Sequence, residues 1–297
     1  MSVDMQLEIQ KRTEEINSIL ESFLPEQTGM QKTVIDAMCY SVRSGGKRLR
    51  PMLMQETHRL FGGHSRALPA FMAAIEMIHT YSLVHDDLPA MDNDRYRRGK
   101  ETTWAVYGEA MGVLAGDALL NYAFEIAADV AAQYADDPAP ARALRVLAKK
   151  AGVFGMIGGQ AVDVEMEGRV DSIRTIEFIH SKKTCALIEA SMLIGAILAD
   201  ASLAEQAMVE ESAHALGMAF QIQDDILDVI GDEKKMGKPV GSDEKNEKKT
   251  YATLVGLETS RNEVHYQTKI AVEALEHTGR ENKFLTELMI GLADREK

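Results

Sequence analysis

Apolar residues recur at helical spacing along most of this chain, and this period constrains the fold more than any other feature. Phe71, Ile75 and Ile78 fall on one helical stripe, and residues 113–132 are rich in the helix formers Ala and Leu. The alternation that a half-buried strand requires is not sustained anywhere. Glycine and proline clusters divide the pattern into segments. The sequence therefore predicts an all-α, single-domain bundle of roughly ten helices.

The composition fits one domain over residues 1–297 that needs neither disulfides nor a structural metal. Of the 297 residues, 45% are hydrophobic, which is enough to bury a large core. No linker rich in Pro, Gly or Ser interrupts the chain, and its two cysteines lack metal-ligand spacing. The N-terminal segment is unlike a signal peptide, and the longest apolar stretch, Ala190 to Ala199, is too short to cross a bilayer. We therefore expect a cytoplasmic protein without stable membrane insertion.

The charge distribution favours a small anionic ligand over a nucleic acid. The net charge is −13, whereas a nucleic-acid partner would favour a basic face. Basic residues nevertheless occur in islands, which suggests anions held at defined places, although any one island could be a solvated helix end. The islands lie at residues 43–50, 95–100, 182–183 and 234–238.

Aspartate-rich motifs sit inside otherwise apolar helical segments at two places, DDLPAMD at residues 86–92 and DDILD at residues 224–228. Carboxylates this close to an apolar core repel one another and lose solvation, and a bound cation relieves both effects. Ligands that offer only oxygen indicate a hard cation such as Mg²⁺ rather than zinc or copper. One motif alone could equally be a solvated helix end. Two motifs together predict a magnesium site that grips a diphosphate.

The spacing within each motif bears on whether its carboxylates can share a metal ion. Asp224 and Asp228 are four residues apart, so they lie one turn apart on the same helix face. Asp86 and Asp92 would diverge by about 120° on a regular helix. Pro89 removes a backbone donor and disfavours helix at the residue before it. We therefore expect a distortion at Pro89 that brings Asp86 and Asp92 together.

Basic residues near the motifs complete the predicted diphosphate site. The segment SGGKRLRP at residues 44–51 joins a flexible Gly-Gly turn to three cations, so that backbone N–H groups and side chains can approach a phosphate together. His79 lies seven residues before Asp86 on the same helix face, which favours a functional role over that of a core histidine. Arg97 and Arg98 follow the first motif, and arginine forks bind phosphate.

Taken together, these motifs resemble those of the trans-isoprenyl diphosphate synthases, specifically the bacterial-type farnesyl diphosphate synthases. The matching segments occur in the family's order and cover about two thirds of the chain. They are GGKRLRP (45–51), EMIHTYSLVHDDLPAMDND (76–94), RRGKETTW (97–104), GGQAVDVE (158–165), HSKKTCALIEAS (180–191), FQIQDDILDV (220–229) and GKPVGSD (237–243).

The resemblance implies a homodimer of helices around a deep central cavity, with the aspartate motifs facing each other across its mouth. It implies an allylic diphosphate held by Mg²⁺ at Asp86, Asp92 and Asp224. Three further aspartates would support these ligands, namely Asp87, Asp225 and Asp228.

The resemblance also implies which side chains bind the two substrates. Arg97, Lys183 and Lys238 would contact the allylic diphosphate, and Thr184 and Gln221 would stabilise the developing allylic cation through oxygen dipoles. Four residues would bind the diphosphate of isopentenyl diphosphate, namely Lys47, Arg50, His79 and Arg98.

The implied reaction is ionisation, condensation and elimination, in which bound cations stabilise the departing diphosphate and no protein nucleophile is needed. The charged segment at residues 232–249 is predicted to close over the site, although a surface loop would have the same composition. The residue five positions before the first motif forms the floor of the product tunnel in this family. Here it is Tyr81, beside Ser82. A bulky ring there favours the fifteen-carbon farnesyl product, with a geranylgeranyl product as the alternative.

Other readings remain open at this point. His85-Asp86 resembles the dyad of metal-dependent phosphohydrolases, but that reading leaves the second aspartate motif without a role. Terpene cyclases share one aspartate motif but not the predicted isopentenyl diphosphate residues. A non-catalytic subunit of a heteromeric synthase would be expected to lose metal aspartates, and this chain keeps them.

Overall fold

The computed structural model describes residues 3–170, 172–230, 249–293 and 295, and this part of the chain is almost entirely helical. The predicted all-α class is therefore confirmed. The earlier helices are α1 (Val3–Phe23), α2 (Lys32–Arg43), α3 (Leu49–Leu60), α4 (Leu68–Asp86), α5 (Thr103–Tyr107), α6 (Glu109–Gln133) and α7 (Pro138–Ala151). The later helices are α8 (Met156–Glu165), α9 (Ile173–Ile179), α10 (Ala186–Leu198), α11 (Leu203–Ile230), α12 (Tyr251–Val255), α13 (Leu257–Glu276) and α14 (Lys283–Ala293).

The chain divides into two compact units, each of which carries one aspartate motif. The first unit comprises residues 9–52 and 66–144, and the second unit comprises residues 1–8, 53–65 and 145–297. That residues 1–297 form a single domain stays a prediction. Among the described helices, none combines the length and the apolar character needed to cross a membrane.

The core of the first unit is built on α4. This helix starts with Pro69 in its first turn, where the missing backbone N–H costs nothing. Every residue from Ala70 to Ile78 is buried, as expected for a helix that is apolar around its circumference and packed on several sides. Helices α2 and α6 both pack against it. The end of α4 at Asp86 is thereby held in a fixed place at the first aspartate motif.

The first unit also contains a short antiparallel hairpin that the sequence did not predict. Strand β1 (Tyr96–Arg97) pairs with β2 (Lys100–Glu101). The residues between them, Arg98 and Gly99, have φ values of 54° and 75°, as in the two-residue hairpin turns that match strand twist. The hairpin therefore presents Arg97 and Arg98 from a rigid turn.

The second unit is built around α10 and α11. All thirteen residues of α10 are buried, and α11, which is 28 residues long, packs against both α10 and α13. A six-residue π-helical segment, His180–Cys185, joins α9 to α10 and contacts α8 and α11. Such π-helical turns are uncommon and frequently occur at functional sites. This one carries Lys183 and Thr184.

Candidate active site

The first aspartate motif forms a turn at the end of α4. The helix ends at Asp86, and the backbone N–H of Asp92 donates to the carbonyl oxygen of Asp86 at 2.8 Å. Asn93 follows with a φ of 55°, which reverses the chain. Pro89 thus acts beyond the helix end, whereas a distortion within the helix was predicted. The backbones of Asp86 and Asp92 are nevertheless brought together as expected.

Asp87 is tied to the hairpin rather than exposed to a ligand. Its side chain is buried, and Arg97 contacts its Oδ1 through Nη2 at 2.6 Å and through Nε at 2.7 Å. Burial raises the pKa of the Asp87 carboxyl, and the Arg97 guanidinium opposes that rise. This pairing fits the supporting role predicted for Asp87, because it orients Arg97 beside the first motif.

A small cavity of about 40 Å³, called the cationic cavity here after its two arginines, lies next to this pair. It is lined by Arg97, Arg98 and His79, and also by the acids Glu76, Asp87 and Glu101. Arg98 donates from Nη1 to the carbonyl oxygen of Gly45. Gly46 has a φ of 140°, which residues with a side chain rarely adopt, and a Cβ there would lie 2.6 Å from that Nη1 and force Arg98 to shift. The structure therefore joins the Gly-Gly turn to Arg98 of the hairpin.

The basic groups predicted to bind isopentenyl diphosphate differ in their surroundings. Lys47 is exposed, whereas burial lowers the pKa of Arg50 to about 10. Burial, together with the charges of Arg50 and the neighbouring arginines, holds the pKa of His79 well below its usual range, so its ring is neutral at neutral pH. Arg48, which the sequence grouped with these cations, has its side chain buried against Glu76 instead.

The two residues predicted to control product length lie on α4. Tyr81 is buried and meets His85 edge to face, with ring centroids 5.7 Å apart. Burial raises the pKa of Tyr81 to about 12, so its hydroxyl stays protonated. Ser82 donates to the carbonyl oxygen of His79 at 2.8 Å. Neither residue lines the cationic cavity of the first unit.

The second aspartate motif lines a cavity of about 210 Å³ in the second unit. The predicted residues Lys183, Thr184 and Gln221 line the same cavity. Thr184 Oγ1 donates to Gln221 Oε1 at 2.7 Å. The structure thus brings together the second motif and the pair predicted to stabilise an allylic cation. The aspartates on its wall are Asp163, Asp224, Asp225 and Asp228.

Asp225 is buried and connects three elements. Its Oδ2 accepts a hydrogen bond from the backbone N–H of Tyr251 at 2.8 Å and lies 3.3 Å from His180 Nε2. Its Oδ1 accepts a hydrogen bond from Gln221 at 3.3 Å. Its oxygens are therefore occupied by the protein, which agrees with a supporting role.

Lys183 is positioned by a residue to which the sequence gave no role. Its Nζ lies 2.7 Å from Oδ2 of the buried Asp163 on α8. A Cβ on Gly159 would lie 2.2 Å from the backbone nitrogen of Lys183, so only glycine lets α8 pack this closely on the π-helical segment. The GGQ run at residues 158–160 therefore places Asp163 beside Lys183.

Arg295 is a second residue that the sequence did not single out. Its Nη2 lies 2.6 Å from Oδ1 of Asp224 and donates to the carbonyl oxygen of Phe220 at 2.9 Å. The guanidinium carbon lies 3.7 Å from the centroid of the Phe220 ring. A cation of the protein thus occupies one oxygen of a predicted metal ligand. Lys238 and most of the predicted lid lie outside the described residues.

The chain matches a known protein family over most of its length. Residues 31–289 match the family described as polyprenyl synthetase. The chain belongs to the polyprenyl synthetase family. This confirms the resemblance inferred from the motifs.

Relatives and solved structures of this family cover nearly the whole chain. It is 42% identical to a farnesyl diphosphate synthase of Geobacillus stearothermophilus over 271 residues, which are 91% of this chain and 90% of that one. It is 43% identical to a geranylgeranyl diphosphate synthase of Cyanophora paradoxa over 253 residues, which are 84% of this chain and 83% of that one. The solved geranylgeranyl pyrophosphate synthetase of Pyrococcus horikoshii superposes with a TM-score of 0.86 at 30% identity and covers 99% of both chains.

Membership of the polyprenyl synthetase family supports trans-prenyl diphosphate synthase activity and leaves the product length open. The carboxylates of both aspartate motifs suit a hard cation such as Mg²⁺. Within the described ranges, no group of three acidic, histidine or cysteine side chains could hold a metal ion as it stands. Mg²⁺ usually binds through one or two carboxylates together with substrate phosphates, so this donor set fits a metal that arrives with a diphosphate.

Proposed function

We propose that this polyprenyl synthetase condenses isopentenyl diphosphate with dimethylallyl and then geranyl diphosphate to give farnesyl diphosphate. One observation carries the proposal. The cavity of the second unit gathers the second aspartate motif, Lys183 and the Thr184–Gln221 pair on one wall. These are the groups that bind a diphosphate and stabilise the cation that it leaves behind.

The proposal assigns the allylic diphosphate to the carboxylates of the aspartate motifs and to the cations Arg97 and Lys183. Asp86, Asp92 and Asp224 would hold Mg²⁺ when a diphosphate is present, and the bound metal would supply the charge that stabilises the leaving group. Lys183 then adds a direct cationic contact from the π-helical segment, because Asp163 holds its ammonium at 2.7 Å. Arg97 adds another from the hairpin, where Asp87 fixes it.

The condensation breaks the carbon–oxygen bond of the allylic diphosphate and forms a carbon–carbon bond to isopentenyl diphosphate. Thr184 and Gln221 direct oxygen dipoles at the positive charge that develops on the allylic carbon. The electron pair of the new bond comes from the double bond of isopentenyl diphosphate. One proton is then lost to the released diphosphate, which restores a double bond, so no side chain has to act as a base.

Isopentenyl diphosphate binds at the cationic cavity of the first unit. Arg98 lines this cavity and supplies a permanent charge, and Arg50 and the exposed Lys47 follow the neighbouring Gly-Gly turn. His79 is neutral at neutral pH, since burial lowers its pKa, and it therefore contributes a hydrogen bond rather than a charge. This arrangement supports the role that the motifs predicted for these residues.

Tyr81 is the basis for proposing the farnesyl product. It lies on α4 five residues before the first motif, and its ring is buried. The alternative is the longer geranylgeranyl product, because synthases of both kinds match at similar identity. A homodimer is part of the proposal as well.

The proposal is tested by incubating the purified chain with Mg²⁺, isopentenyl diphosphate and either dimethylallyl or geranyl diphosphate. Chromatography of the dephosphorylated products is expected to show mainly the fifteen-carbon alcohol. Mainly twenty-carbon product would establish the alternative. Phosphate release from nucleotides without prenyl product would support the phosphohydrolase reading, and inactivity without a second chain would support the subunit reading.

A further inference from the structure

Glu76 is a buried acid beneath the cationic cavity of the first unit. It lies one helical turn before His79 on α4, and it lines the cavity together with His79 and Arg98. Its exposed fraction is only 2%. An ionised carboxylate is costly to bury unless cations and hydrogen bonds compensate for the lost solvation. The groups around Glu76 must therefore compensate for a buried acid at a place where a diphosphate is proposed to bind.

One neighbour is Arg48, whose guanidinium is directed entirely into the protein. Its Nη1 donates to Glu76 Oε1 at 2.8 Å, its Nη2 to the carbonyl oxygen of Val42 at 2.6 Å, and its Nε to Asn17 Oδ1 at 2.8 Å. The residue is 5% exposed, so these contacts leave it little access to a substrate. Its φ of 49° shows that the chain turns sharply at this residue. Arg48 thus fixes the turn between Lys47 and Arg50.

The other neighbours are the arginines of the proposed diphosphate site. Burial lowers the pKa of Arg50 and of Arg98, and the charge of Glu76 opposes the lowering in both. The second carboxylate oxygen, Oε2, is buried and makes no hydrogen bond among the described residues, and the same holds for Arg50 Nε. One oxygen of Glu76 therefore accepts a hydrogen bond from Arg48, and the negative charge of Glu76 also acts on Arg50 and Arg98.

We propose that Glu76 is a positioning residue of the isopentenyl diphosphate site. Its carboxylate anchors Arg48, and through Arg48 the turn that carries Lys47 and Arg50. Its charge also offsets the mutual repulsion of the arginines, so that they stay together before the substrate arrives. This inference rests on the proposed function, because it assigns the cationic cavity to isopentenyl diphosphate.

The test compares Glu76→Gln with the double variant Arg48→Met/Glu76→Gln. A buried ion pair can often be replaced by neutral groups of similar volume without loss of stability, so the double variant separates folding from positioning. The matched control is Glu56→Gln. Glu56 is 1% exposed and pairs with Arg59 at 2.6 Å in the second unit, so its loss should cost stability without touching this site.

The readouts are the KM values for both substrates and the Kd of isopentenyl diphosphate, titrated alone by calorimetry. Both single variants are expected to lower the melting temperature. We expect Glu76→Gln to raise the Kd and KM for isopentenyl diphosphate about tenfold, the loss associated with one misplaced charge-assisted contact. The KM for geranyl diphosphate should change less than about twofold. The double variant should recover thermal stability and keep the raised KM.

A double variant with the wild-type KM for isopentenyl diphosphate would overturn the proposal, because Glu76 would then act only through folding. An equal rise in both KM values would overturn it too. A wild-type chain that forms no prenyl product would refute the proposed function instead, and the titration with isopentenyl diphosphate would still decide the role of Glu76.

Discussion

Replacing Arg295 by Gln is expected to strengthen Mg²⁺ binding at the second aspartate motif. The guanidinium lies 2.6 Å from Oδ1 of Asp224, which is the proposed metal ligand of that motif. It also stacks at 3.7 Å on the ring of Phe220. A metal ion that binds this oxygen of Asp224 would compete with the guanidinium. If Asp224 holds the metal as proposed, the wild-type chain would bind it against this internal cation.

The size of the effect follows from the exposure of the two partners. The Asp224 side chain is 45% exposed, so solvent screens the ion pair and limits its contribution to about 1 kcal/mol. The stacking of Arg295 on Phe220 contributes about 0.5–1 kcal/mol more if the side chain leaves the ring. The sum of about 1–2 kcal/mol corresponds to a change in metal affinity of about 5–30-fold. We expect Arg295→Gln to lower the half-saturating Mg²⁺ concentration by about fivefold or more.

The assay measures product formation against Mg²⁺ concentration at saturating substrates. A second readout is the rise in melting temperature that Mg²⁺ causes without substrate, which should be larger in the variant at equal metal concentration. The matched control is Arg280→Gln, because Arg280 pairs with Glu205 at 3.4 Å and lies 5.9 Å from the ring centroid of Phe61. A half-saturating Mg²⁺ concentration in Arg295→Gln that is not below that of Arg280→Gln would show that Arg295 does not compete with the metal.

Three further predictions concern single side chains. Tyr81→Ala is expected to shift the product from fifteen to twenty or more carbons, as measured by chromatography, and an unchanged product would defeat the idea that Tyr81 is the floor. Asp163→Asn should lower kcat/KM for the allylic substrate about tenfold by releasing Lys183, and steady-state kinetics should show an unaltered KM for isopentenyl diphosphate. Since the pKa of His79 is lowered in the folded chain, the unfolded chain binds more protons below about pH 6.5. Stability should therefore fall with decreasing pH through that region, and urea titrations of His79→Gln should show a flatter dependence.

The helices could be predicted from the sequence because their burial is set by a local period. Residues 70–78 of α4 and all of α10 are buried, which follows from long apolar runs without turn residues. The hairpin at residues 96–101 could not be predicted in the same way. Its strands are two residues long, too short for any alternation, and it depends on the positive φ of Arg98 and Gly99.

The proposed site was predictable in its residue types but not in its pairings. The sequence grouped Arg48 with the cations of the Gly-Gly turn, whereas the structure buries it against Glu76, which is 28 residues away. The sequence assigned Lys183 to a diphosphate, but it did not predict that Lys183 pairs with Asp163, which is 20 residues away. Such long-range pairs depend on tertiary packing, which no local period encodes. The motif residues 158–165, quoted for the resemblance, were the available signal for Asp163.

We propose that carboxylates of both motifs hold divalent cations and that departure of the diphosphate depends on these cations. The most direct measurement is the rate of prenyl product formation in excess chelator and again after Mg²⁺ is restored, for the wild type and for Asp86→Asn/Asp224→Asn. We expect no turnover of the wild type in chelator, full recovery with Mg²⁺, and no recovery in the double variant. Undiminished turnover in chelator, or in the double variant, would contradict the account.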